Sequence, residues 1–165
     1  MKRLSIIAAA LILFASLGSA QTTHRGPTKQ RRIDSDFVYA IQKGDLGRFY
    51  SLLKRGANVN AQGESRTTAL MVAAMNNQTE FLVALIAKGA RLNAKNAFGN
   101  TALMYAADGH VEMVRWLLIA GADVNAENES GWTALKFVTN STNAQQANYQ
   151  RVIELLTAAK PKKRL

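Results

Sequence analysis

The sequence predicts an all-α repeat solenoid of about four stacked helix–turn–helix units, joined by hairpin-like fingers. Three observations predict it. One phrase recurs: GANVNAQG at 56–63, GARLNAKN at 89–96 and GADVNAEN at 121–128. Starts spaced by 33 and then 32 residues are the mark of a repeat architecture. Gly56, Gly89 and Gly121 each close an apolar segment (YSLLKRG, VALIAKG, RWLLIAG), where a helix ends in the left-handed conformation. Thr68, Thr101 and Thr133 each precede a short apolar run (ALMVAA, ALMYAA, ALKFV), which is a helix N-cap signal.

The units follow in order. The first, 34–62, begins near Ser35, which takes the capping slot; Gly44 makes its turn, and Gln42, Lys43 and Arg48 face water as an N-terminal cap. The second, 63–95, runs from Thr68 through a turn at Asn77 to Gly89, and the third, 96–127, from Thr101 through Gly109 to Gly121. The fourth, 128–159, starts at Thr133, ends on Ala159 in place of glycine, and is followed by Pro161, which cannot continue a helix. Its first and second helices are separated by extra polar residues over 139–148, read as a tolerated surface insertion or as a contact element of this protein. Each helix is about ten residues, marginal alone because nucleation is costly, so stacking is what buries the apolar faces. Ala73, Ala74, Ala106 and Ala107 permit close helix approach. Asn60, Asn93 and Asn125 stand in the links, where their side chains can satisfy backbone groups.

The ends differ from the body. Lys2 and Arg3, an apolar stretch, then Gly18, Ser19 and Ala20 form the pattern of a cleavable signal over 1–20. Cleavage near Ala20 implies export to a periplasm or secretion. The formal net charge is +10, yet all eleven acids lie within 34–159. Arg25, Lys29, Arg31 and Arg32 belong to a basic flexible segment, 21–33, and Lys160, Lys162, Lys163 and Arg164 to a basic tail, 160–165. The body is therefore neutral with basic ends, unlike the basic groove of a nucleic-acid reader. Membrane contact is at most peripheral, and a monomer is expected. With no cysteine there are no disulfides, thiol nucleophiles or cysteine metal sites.

Nothing assembles into a catalytic constellation. His24 and His110 are the two histidines, too few for a typical zinc site without cysteine. No Gly-x-Ser-x-Gly elbow accompanies any serine, and no Gly-Lys-Ser/Thr follows the glycine-containing turns. The expectation is a non-enzymatic protein without cofactor or metal.

The residues NAFGNTALMYAADGHVEMVRWLLIAGADVNA, 96–126, together with their copies, resemble the ankyrin-repeat family over about 34–159. The family's Thr-Pro-Leu-His becomes Thr-Ala-Leu-Met here, which loses a side-chain hydrogen bond but keeps the packing. The resemblance implies binding of a protein partner on a concave surface of fingers and first helices. Carried over by position, that surface takes Glu64, Ser65, Arg66 and Thr67 from finger two, Phe98 and Asn100 from finger three, and Glu129, Ser130 and Trp132 from finger four. The ends of the first helices add Met75, Asn76, Asp108 and Asn140. Phe98 and Trp132 either meet a partner or fold back on a neighbouring element. Arg66 replaces a finger glycine, so it strains the turn or presents a charge. Trp116 takes a core leucine slot. The signal followed by a compact array resembles small periplasmic ankyrin proteins of bacteria, which implies support of another exported enzyme. Two other functions are open: binding of an anionic surface (lipid headgroup, cell-wall polymer or nucleic acid) through the basic tails, and a secreted factor aimed at host proteins.

Overall fold

The computed structural model describes residues 29–159. It holds eight α-helices in this span: α1 Lys29–Gln42, α2 Leu46–Lys54, α3 Ala69–Met75, α4 Thr79–Ala87, α5 Ala102–Ala106, α6 Val111–Ile119, α7 Ala134–Thr139 and α8 Ala147–Ala159. The first helices of the units pack in order, α1 on α3, α3 on α5 and α5 on α7. The second helices do the same, α4 on α6 and α6 on α8. The predicted all-α solenoid is the observed architecture. Among the described residues the fingers contain no strand, only an isolated antiparallel bridge between Gln62 and Thr68. The expected leader, 1–20, and the basic tail, 160–165, lie outside the described residues.

One continuous core runs between the two rows of helices. Leu70, Leu82, Leu85, Leu103, Met113 and Leu117 are fully buried in it. At the first unit Phe37 stacks on Phe49 with ring centroids 5.0 Å apart. Phe49 meets Phe81 of the next unit edge-on, also at 5.0 Å. Such pairs add to simple area burial, and these tie α1 and α2 of the first layer to α4 of the second.

The caps follow the sequence in two cases of three. Thr68 Oγ1 accepts the Met71 N–H and Thr133 Oγ1 the Lys136 N–H, both at 3.3 Å. Thr101 is buried and its hydroxyl has no partner. Here the expected loss of a hydrogen bond is corrected. The Thr68 and Thr101 N–H groups each donate to a methionine sulfur, Met71 and Met104, at 3.4 Å. A thioether is a weak acceptor, so methionine replaces part of what the family histidine would supply.

The links carry a side-chain ladder between layers. Asn60 Oδ1 accepts the Arg91 N–H at 2.8 Å, and Asn93 Oδ1 the Asp123 N–H at 2.9 Å. Asp34 performs the same task one layer earlier, accepting the Asn58 N–H at 2.8 Å. In the last link the Asn125 N–H is itself accepted by Asp123. His110 is structural: its Nδ1 donates to the Ala74 carbonyl of the preceding unit at 3.0 Å.

Two further expectations need correction. The basic segment 21–33 is not flexible throughout, because Lys29–Ile33 is the first part of α1. Ile33 is buried in register with Phe37 and Ile41, and Gln30 Nε2 donates to Asp34 and to the Gly56 carbonyl. Helical spacing of one apolar residue outweighs its basic neighbours. Trp116 is not in the core but 40% exposed. Met113, Val114 and Leu117 form the buried stripe of α6, which leaves Trp116 on its flank with Ile119. The fourth unit's extra residues form a closed turn, with the Ala144 N–H on the Ser141 carbonyl and the Gln146 N–H on the Asn143 carbonyl.

Candidate functional site

The fingers share a plan. Each is closed across its base by the same backbone bond, Gly63 N–H to Thr67, Asn96 N–H to Asn100 and Asn128 N–H to Trp132. In fingers three and four the first residue is an asparagine that also organises its own tip. Asn96 Oδ1 accepts the Phe98 and Asn100 N–H groups at 2.9 and 3.0 Å. Asn128 Oδ1 accepts those of Ser130 and Trp132 at 3.0 and 2.9 Å. Finger two has Gly63 in that place and no such anchor. Its tip, Glu64–Arg66, is a 3-10 turn with Ser65 and Arg66 in the left-handed region at φ 51° and 59°. Of the alternatives for Arg66, the strained turn is the one observed, with the side chain exposed to solvent.

Adjacent fingers join edge to edge through one backbone bond each, Ala97 N–H to Ser65 at 2.8 Å and Glu129 N–H to Phe98 at 3.2 Å, and between fingers three and four Asn128 Nδ2 also donates to Asn100 Oδ1 at 2.8 Å. They hold to the first helices as well: Asn96 Nδ2 donates to the Tyr105 hydroxyl at 2.8 Å. The result is a hydrogen-bonded wall of fingers facing a wall of first helices, with a cleft between them.

That cleft, about 930 Å³, brings together Glu64, Ser65, Thr67, Met75, Asn76 and Phe98 of the expected set. Phe98 is 60% exposed, Met75 47% and Tyr39, which joins them, 48%. Glu64 is the one charged side chain in the lining. A second cavity of about 280 Å³ further along the first helices takes in Asn100 and Asp108, and shares Met75 and Tyr105 with the cleft.

The other expected residues fall elsewhere. Arg66, Glu129, Ser130 and Asn140 are exposed and line neither space. Trp132 folds back: its ring meets Phe137 edge-on at 5.2 Å, and the Lys136 ammonium sits 5.4 Å from its centroid. Of the two finger aromatics, then, Phe98 is free and Trp132 is held by α7.

Sequence reasoning missed the first-helix column. Tyr39, Val72, Tyr105 and Phe137 occupy the same slot, four residues after Ser35, Thr68, Thr101 and Thr133. All four line the cleft or the adjoining cavity. The signal was present as an aromatic in three of four equivalent positions, but a large side chain at helical spacing reads equally well as core.

Among the described residues no group of His, Cys, Asp or Glu could hold a metal ion, and no helix is long and apolar enough to cross a membrane. A sequence model described as ankyrin repeats (three copies) matches residues 37–128, more than half of the chain. No curated protein gives a significant match.

Proposed function

Because this chain belongs to the ankyrin-repeat family, whose repeats are general protein–protein interaction modules, we propose that it is a binding protein without catalysis of its own. It holds another protein in the cleft between its fingers and first helices. The observation that carries this reading is the exposure of Tyr39, Met75 and Phe98, one from each of three successive units, along a single cleft. Large apolar side chains left in water along one rigid surface mark an interaction site. Buried aromatic anchors dominate the energetics of such sites. The nearly uncharged lining of the cleft supports contact there with uncharged partner residues, bound in a way that salt weakens little.

The leader supports a place of action. Lys2 and Arg3, the apolar stretch and the small residues up to Ala20 favour export, and the partner is then a protein of the same compartment, such as an exported enzyme that it supports. Affinity capture from an extract of the source tests the function. The protein is compared with Met75→Ser/Phe98→Ser and with Trp116→Ser/Ile119→Ser at low and high salt. The expected result is a partner retained at high salt by the parent and the second variant, and weakened about tenfold or more by the first. Capture that survives the first variant but is lost in salt would overturn the reading and pass the function to the basic ends.

A further inference from the structure

We propose that the cavity beside the fourth unit's insertion receives one cationic side chain, a lysine or arginine, of the bound protein. The space measures about 280 Å³, ample for a single long side chain. Its walls are Met75, Met104, Tyr105, Phe137 and Tyr149, and one charged group, Asp108, faces it. Aromatic rings attract a cation, and rings and thioethers together accept a methylene stem. The carboxylate supplies the counter-charge.

Charge complementarity selects this occupant. Asp108 takes part in none of the ion pairs among the described residues, which join Arg48 to Asp36, Arg115 to Glu112 and Arg151 to Glu154. Its carboxylate accepts the Tyr149 hydroxyl, which donates to Oδ1 at 2.8 Å. Asp108 is solvent-exposed, so an apolar side chain would gain nothing from its carboxylate, and an anion would be repelled. A cation meets both kinds of wall.

The insertion builds the site. Asn143 Nδ2 reaches the Tyr149 hydroxyl at 3.4 Å, and Ser141 closes one side of the cavity. The Tyr149 ring lies flush against Gly109, where a Cβ would come within 2.8 Å of it. Tyr149 is thereby fixed from the ring and from the hydroxyl, with Asp108 positioned by the same bond. Because Met75 and Tyr105 border both spaces, a chain lying in the cleft can drop a side chain into the cavity. In this respect the inference rests on the protein-binding reading above, although the cavity's selectivity does not.

The test is an NMR titration of the ¹⁵N-labelled protein with Nα-acetyl-lysine methylamide, and in parallel with the norleucine analogue, which has the stem without the ammonium. Asp108→Asn is the variant, since its amide oxygen still accepts the Tyr149 hydroxyl while the charge is gone. The expected result is saturable shifts at Tyr105, Asp108, Phe137 and Tyr149. Affinity should be about tenfold weaker for norleucine and for Asp108→Asn. Equal binding of both probes, or no saturable shift at these residues, would overturn the proposal. Loss of protein capture in the Met75/Phe98 variant is read separately, so a failure of the cleft and a failure of the cavity are distinguishable.

Discussion

Arg66 shows how one residue can be read correctly in kind and incompletely in effect. The alignment marks it as standing where Gly99 and Gly131 stand in the other fingers, both at positive φ. What the alignment does not reveal is that finger two also lacks the asparagine anchor, having Gly63 where the others have Asn96 and Asn128. Two consecutive non-glycine residues in the left-handed region result, each of which costs about 1 kcal/mol. Arg66→Gly relieves one, and part of the gain is offset by the greater freedom of glycine in the unfolded chain. The expected net effect is about 0.5 kcal/mol of added stability, or a rise of roughly 1–2 °C in the thermal midpoint. Scanning calorimetry measures it, and a fall in the midpoint would show that the guanidinium makes a contact worth more than the strain. Trp132 and Phe98 make the same point: equivalent in type and both in fingers, they separate only because Phe137 and Lys136 lie within reach of one and not the other.

At the scale of elements, the helices were legible because their signals are local. Thr68 and Thr133 cap as their positions imply, and Gly56, Gly89 and Gly121 end their segments at φ 85°, 82° and 94°. The start of α1 was hidden because Lys29, Arg31 and Arg32 look like tail and only Ile33 speaks for core. Contacts between elements were the least legible, since spacing along one chain segment does not reveal what the next layer places against it. Gly99 is the sharpest instance. A Cβ there would lie 2.6 Å from the Glu129 nitrogen and 3.0 Å from the Asn128 Cα, so fingers three and four close through this residue. Gly131 has similar φ, 69° against 75°, but open space around it. Gly131→Ala should therefore cost about 1 kcal/mol from conformation alone. Gly99→Ala should cost about 2–3 kcal/mol, because backbone must also shift. Urea midpoints at constant m check this, and equal losses would mean that the two fingers do not touch as described.

For the whole molecule, the repeat made the stacking and the family legible, and the proposed position of the interaction surface follows from them. The chemistry of that surface did not. Tyr39, Tyr105 and Phe137 repeat at a helical slot that sequence alone cannot distinguish from core. The cavity depends on the insertion's fold bringing Tyr149 to Asp108 across 41 residues of chain. Two faces of the solenoid carry exposed apolar groups: the cleft with Met75 and Phe98, and the outer face of α6 with Trp116 and Ile119. The central claim is that the cleft is the working face. Site-specific photo-crosslinking tests it most directly, with a benzophenone side chain placed at Phe98 in one sample and at Ile119 in another, each exposed to the source extract in high salt. The account predicts a discrete protein adduct from position 98 and none from 119. An adduct from 119 alone would contradict it and move the binding surface to the opposite side of the solenoid.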